Sequence, residues 1–249
     1  MHVAASTACL PDLPLEAAID LLADLEFTML EFDLHESGGH YRPSQLLADP
    51  DMAMQVLRFS HRLDISNFSL ELTSQGDQHY ADFKEICRFS KAAKVVTLTV
   101  PSAELGTPFN EEVEHLQRLV DIAETEGARV GVRSQLGRLS EDPDTLMVLC
   151  DNVHGLGITL DPSVYIAGPA HGKSLDRILK YVFHVHLRDS KKEAFQVSVG
   201  QGEVDYGKII HQLERENYDR ALSIYITPME GVDHRVELRK LRRLLESLL

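Results

Sequence analysis

Short β-branched and apolar runs alternate with amphipathic stretches from one end of the chain to the other. The runs predict strands at His2–Ala8, Phe27–Leu34, Ile65–Leu72, Val95–Val100, Ala128–Ser134, Leu156–Asp161, Val182–Arg188 and Ala221–Ile226. Between them the spacing predicts helices at Leu15–Leu25, Asp51–Leu63, Gln78–Ala92, Asn110–Glu126, Asp142–Asn152, Ser174–Lys180 and Tyr206–Glu216, with a last helix at Val236–Leu249. Some boundaries carry their own mechanism. Asn110 is the expected N-cap of its helix, and Glu111, Glu112 and Glu114 suit the positive end of the helix dipole. Gly127 is expected to stop that helix. Asp142 and Pro143 open the next one as cap and first helical residue. Eight strand–helix units predict an α/β fold, a (β/α)8 TIM barrel formed by residues 1–249 as a single domain. An open doubly wound sheet is the alternative.

Within each strand, side chains alternate between two faces. Val130 and Val132 share one face of the fifth strand, and Gly131 and Arg133 the other. Ile158 and Leu160 oppose Gly157, Thr159 and Asp161; Val185 and Leu187 oppose His184, His186 and Arg188; Leu222, Ile224 and Ile226 oppose Ser223 and Tyr225. The same alternation turns Glu31, Asp33, Ser69, Glu71, Thr97 and Thr99 inward. The apolar sets are expected to meet the helices and the polar sets to line the barrel. Polar residues at the C-terminal strand ends are where barrels place their chemistry; a polar network that only closes the barrel is the competing reading.

Composition narrows the options. The chain has 249 residues, with 39 Asp and Glu against 25 Lys and Arg, for a formal charge of −14. That charge opposes nucleic acid and anionic membrane as partners. No apolar run approaches the roughly 18 residues of a membrane span, and the first residues lack a signal-peptide pattern. Three separated cysteines, Cys9, Cys87 and Cys150, form no CxxC pair and fit reduced core residues of a cytoplasmic protein.

Four segments together resemble the xylose-isomerase-like TIM barrels, the superfamily of sugar isomerases and epimerases with an apurinic endonuclease branch. GITLDPSVYIAGP is similar to the family strand ending in Asp, VFHVHLRDSKK to its HxH strand, VGQGEVDYGKII to its glycine turn before a helix, and NYDRALSIYITP to its final strand. The resemblance implies a divalent cation (Mn, Zn, Co or Mg) held by Glu, Asp, His and Glu at the ends of strands five to eight. Here Asp161 and His186 match, but Arg133 stands at the first Glu, Tyr225 at the second, and Val164 where a substrate-contacting His often follows the Asp. The expected metal site is therefore degenerate, no cofactor is expected unless the site still functions with one of those cations, and Arg133 is expected to pair with Asp161. The endonuclease branch lacks its extra histidines here, since Ser69, Glu71 and Thr99 occupy those strands.

The expected ligand is a small polyhydroxylated or sugar-like molecule, bound by Glu31, Glu71, Arg133, Asp161, His186 and Tyr225, with a homo-oligomer compatible with the sequence. Glu31, Asp33 and Glu71 are read as rim residues that bind hydroxyls or pair with Arg188 and Lys192. The alternatives are an active isomerase, epimerase or lyase with a remodelled site, and a non-catalytic structural or interaction barrel. His35, His40 and His171 are read as solvated loop residues. Gly168, Gly172 and Lys173 form a candidate anion turn, and Gly200 and Gly202 a turn with room for a ligand.

Overall fold

A computed structural model describes residues 1–59 and 62–249. Eight parallel strands close into a barrel: β1 (His2–Ser6), β2 (Met29–His35), β3 (Asp64–Glu71), β4 (Thr97–Pro101), β5 (Arg129–Arg133), β6 (Gly157–Leu160), β7 (Val182–Leu187) and β10 (Ala221–Ile224). Each neighbours the next in sequence order, and β10 closes on β1. Two short strands, β8 (Asp189–Lys191) and β9 (Ala194–Val197), form an antiparallel hairpin after β7. Helices α1 (Leu15–Asp24), α2 (Pro43–Ala48), α3 (Pro50–Phe59), α4 (Gly76–Ala92), α5 (Phe109–Glu126), α6 (Pro143–Asn152), α7 (Pro162–Ala167), α8 (Tyr206–Arg215) and α9 (His234–Glu246) connect the strands and surround them. Among the described residues, no helix is long and apolar enough to cross a membrane.

The strand alternation holds. Leu30, Phe32, Leu34, Phe68, Leu70, Val130, Val132, Ile158, Leu160, Val185, Leu187, Leu222 and Ile224 are buried in the apolar layer between barrel and helices. The helices answer with matching stripes. In α5, Leu116, Leu119, Val120 and Ala123 are buried at steps of three and four residues, and in α9 Leu238, Leu241 and Leu245 are. The lumen is polar. Thr99 and Thr159 hydroxyls meet there at 2.6 Å, and Thr99 also donates to Asn67.

Gly127 ends α5 with φ at +81°, a backbone that costs an L side chain but not glycine. Asp142 caps α6, its side chain accepting from the Asp144 amide. Several expectations fail locally. The cap of α5 is not Asn110: the helix starts at Phe109, directly after Pro108, and no side chain caps it. The first strand ends at Ser6, whose hydroxyl accepts from the Ala8 amide and turns the chain into a 3-10 turn over Thr7–Cys9. No helix covers Ser174–Lys180. Lys173 is drawn to Asp142 and Asp144 of the α6 start at 2.9 and 2.8 Å, and only a 3-10 turn at Leu179–Tyr181 follows. The short α7 takes over as the connection after β6. The helix predicted at Asp51–Leu63 is α3, which ends at Phe59; residues 60–61 of that prediction lie outside the described residues.

All three cysteines are buried and free. Burial pushes the thiols of Cys9, Cys87 and Cys150 up to about 12, so none is a thiolate at neutral pH.

Candidate functional site

The C-terminal strand ends carry two layers of polar groups. The deeper layer centres on Glu31. Parallel pairing sets Glu31 beside Ser6 on one side and Asn67 on the other, inside the lumen rather than at its rim. Its two oxygens accept from His184 Nε2 at 2.7 Å and from His186 Nε2 at 2.8 Å. Glu31 and His186 are 0% exposed and His184 1%. Burial works to raise the Glu31 carboxyl pKa, but the two histidines outweigh it and the net direction is downward. Burial, against the pull of Glu31, lowers that of His184. The arrangement is a carboxylate holding a ring N–H of one imidazole on each side. Glu31 therefore pairs with neither Arg188 nor Lys192, partners that the sequence had offered for it as a rim residue.

Asp161 directly follows β6 and caps α7, one oxygen accepting from the Ser163 amide. Its other oxygen is held by Arg188 through Nη2 at 3.0 Å and Nε at 3.1 Å. The expected Arg133–Asp161 pair does not form. Arg188 follows the same inward alternation on the adjacent strand and reaches the carboxylate first. It also lies over the rings of Phe195, on the β9 hairpin strand, and Tyr225, at 4.6 and 5.1 Å.

Arg133 turns to the opposite side of the mouth. Its Nη2 and Nε donate to Gln135 Oε1 at 2.9 and 3.2 Å, and its Nη1 lies 3.4 Å from His35 Nε2. Glu71 stands 3.6 Å from Arg133 and 3.5 Å from Arg138, beyond close hydrogen-bond distance of both. Glu71 is the most open member of the group, with its side chain 32% exposed. The Tyr225 hydroxyl donates to Asp33 at 2.6 Å, and its ring stacks on His186 at 4.5 Å. Burial, then Asp33, raises the Tyr225 pKa well above its ordinary 10.0, so the phenol stays protonated. His35 lies 3.3 Å from Asp33. Burial lowers its pKa, with Asp33 opposing and Arg133 assisting.

The six expected residues thus fall into connected subgroups: Glu31 with His186, His186 stacked on Tyr225, Asp161 with Arg188, and Arg133 with Glu71. The sequence reading missed His35 and His184 as members. The signal was present, since Glu31, Asp33 and His35 share one alternation, as do His184 and His186. His171 does lie outside the group, its ring bonded to the Ile166 carbonyl at 2.6 Å. Lys173 is occupied by its aspartates, so the candidate anion turn at Gly168–Lys173 is not free for a ligand.

The glycine turn is also spoken for. Asp189 Oδ2 accepts from the amides of Gly200 at 2.7 Å and Gly202 at 3.0 Å. A Cβ on Gly202 would lie 2.0 Å from Asp189 Oδ1 and 2.5 Å from the Ser190 carbonyl oxygen. Gly202→Ala is expected to break this clamp and cost about 2–3 kcal/mol, read as a lower urea midpoint. A change below about 0.5 kcal/mol would show that the clamp yields freely.

Two groupings bear on metal binding. At the four strand-end positions, His186 offers Nδ1, a buried atom with no hydrogen-bond partner. Asp161 offers a carboxylate already bonded to Arg188. Arg133 offers no lone pair, and Tyr225 only a protonated phenol. Deeper in the barrel, Glu31, His184 and His186 bring three ligand-type atoms within 4.8 Å of one another. There both imidazoles already bond to the carboxylate.

A sequence model of the family described as "Xylose isomerase-like TIM barrel" matches residues 19–247. No curated protein matches the chain. Solved structures do. A D-tagatose 3-epimerase-like protein superposes with a TM-score of 0.76 at 16% identity, covering 100% of this chain and 98% of that one. A xylose isomerase-like TIM barrel protein from Mycobacterium smegmatis, in complex with magnesium, gives 0.78 at 14% identity over 99% and 96%. The IOLI protein with a bound zinc atom gives 0.75 at 16% identity over 100% and 98%. At these identities the superpositions speak for the fold.

Proposed function

The chain belongs to the xylose isomerase-like TIM barrel family, and from that premise we propose that it binds a small polyhydroxylated, sugar-like molecule at the C-terminal barrel face, with Arg133 in place of a divalent cation. The observation that carries this reading is the Arg133 guanidinium itself. It is 8% exposed at the end of β5, and its contacts with Glu71 and His35 are long. A guanidinium has five N–H donors, and the partners here use few of them well. Glu71, between Arg133 and Arg138, is an acceptor without a close bond. A sugar hydroxyl both donates and accepts, so it fits between such groups.

The same residues argue against the family's metal. Catalytic zinc-type sites keep three protein ligands, and Asp161 and His186 make two. Arg188, a permanent cation already bonded to Asp161, repels another cation there. The group that polarises substrate in metal-dependent relatives would be missing, together with the two glutamates. A catalytic version of this reading, an isomerase, epimerase or lyase with a remodelled site, falls to Asp33, His35 and Glu71. Glu31 and His186 have no exposed surface from which to touch a substrate.

Metal analysis of protein purified without chelator, with calorimetric titration by Mn and Zn, tests the first half. The wild type is expected to hold no stoichiometric metal. Arg133→Glu should gain Mn affinity, and Arg133→Glu with Tyr225→Glu should gain more. A tightly bound ion in the wild type, lost on Asp161→Ala, sinks the proposal. A thermal-shift panel of sugars and polyols tests the second half, since any stabilising member should lose its effect in Arg133→Ala.

A further inference from the structure

The opposite end of the barrel holds a second group of cations. The N-terminal strand ends surround a cleft of about 400 Å³. The chain carries a net charge of −14, yet this cleft is lined by the cations Lys94, Arg129 and Arg220 and by no carboxylate. Arg129 is half-buried at the start of β5. It spends Nε on Thr97 Oγ1 at 3.0 Å and lies over the Phe183 ring at 4.7 Å. Arg220 donates to the Val182 carbonyl at 3.3 Å and lies 5.7 Å from the same ring. Neither guanidinium has a carboxylate partner among the described residues.

Like charges on one ring repel, so something must hold them together. Phe183 is seated by a missing side chain: a Cβ on Gly157 would lie 2.1 Å from its ring. Burial, and then Arg220, lower the Arg129 pKa to about 10, the direction expected where positive charge is in excess. Lys94 occupies a left-handed backbone position, φ +59°, where glycine would be the easier residue. The bland account is structural: residues at this end of a barrel usually serve stability, and each arginine gains from the aromatic face. That account explains the ring contacts but gives neither guanidinium a carboxylate within ion-pair distance, Asp219 acting on Arg129 only from farther away.

We propose that this cleft binds a small oxyanion of the phosphate type, held between Arg129 and Arg220 with Lys94 at its rim. Guanidinium groups suit such an anion because their paired N–H donors match its oxygens. The site lies at the far end of the barrel from Arg133, so it stands or falls independently of the sugar-binding reading. Inorganic phosphate and a phosphate monoester share this chemistry.

Calorimetric titration of the whole protein at low ionic strength, with inorganic phosphate and separately with glycerol 3-phosphate, tests it. Wild type is expected to bind both. Tighter binding of glycerol 3-phosphate identifies a monoester site, and equal or weaker binding a site for the free anion. Arg220→Ala should weaken phosphate by on the order of tenfold or more. Lys94→Gly should weaken it several-fold while leaving the melting temperature equal or higher, because glycine relaxes that backbone. That second variant separates lost binding from lost folding. The proposal is overturned by no binding of millimolar phosphate to the wild type. Affinity that survives both variants also overturns it, as does affinity that disappears in Arg133→Ala.

Discussion

Glu31→Ala is expected to destabilise the barrel by about 3–5 kcal/mol. The substitution leaves the His184 and His186 N–H groups without their acceptor in a region of 0–1% exposure, and it opens a cavity around them. Each stranded donor costs about 1–3 kcal/mol. Glu31→Gln should cost less. Its amide oxygen still serves one histidine, and the other can accept from the amide nitrogen by moving its proton to the second ring nitrogen. For His186 that nitrogen has no partner, which sets a cost on the exchange. Urea unfolding of the three proteins reads the order wild type, then Gln, then Ala. A Glu31→Ala protein within about 1 kcal/mol of wild type would show that the central carboxylate does not organise the lumen.

Stability should also fall steeply on acidification, beginning close to neutral pH. Burial lowers the pKa of His35, His40, His115, His184 and His234. For His115 the fall is from 6.5 to about 4, with His79 adding to burial. The unfolded chain protonates these groups near 6.5 while the folded chain still holds them neutral. The unfolded state then binds more protons, so stability is present above that pH and is lost as pH drops through the window below it. Each such group contributes at most about 1.4 kcal/mol per pH unit; His184, wholly buried, comes nearest that limit, and the partly exposed rings contribute less. A loss of about 2–4 kcal/mol between pH 7 and pH 5 is expected. Glu31 adds a second phase. Its folded pKa lies below the ordinary 4.5, so its contribution is present above that value and lost on further acidification. Burial raises Glu112, which opposes this second phase. Urea midpoints at stepped pH values check the curve, and a flat profile from pH 7.5 to 5 would contradict it.

The barrel and its inward face were legible because both rest on a period. Two-residue alternation assigns facing, and it did so correctly for Arg133, Thr159, His186 and Tyr225. Alternation says nothing of depth. Whether Glu31 sits at the rim or in the lumen depends on its register against Ser6 and Asn67, which no local pattern encodes. Choice of partner was hidden for a similar reason. Arg133 and Arg188 are both inward cations beside Asp161, and only the closed barrel decides between them. The β8–β9 hairpin was invisible because its turn, Lys192–Glu193, continues from Lys191 as a run of charges. Sequence placed a helix at Ser174–Lys180 from its apolar spacing, but Lys173 is tethered to the start of α6 and the Ser174 hydroxyl bonds to Asp176 instead.

The stacking of Tyr225 on His186 has an optical consequence. The chain has seven tyrosines and no tryptophan, so its near-ultraviolet absorption and intrinsic emission are dominated by tyrosine. Tyr225 stands at the mouth with its ring against an imidazole and its hydroxyl bonded to a carboxylate. A phenol bonded in this way is a quenched, red-shifted chromophore. Any molecule that enters beside Arg133 and draws Asp33 away changes that bond, and the ultraviolet absorption and emission of Tyr225 change with it. The barrel carries its own ultraviolet reporter at the place where a ligand would announce itself.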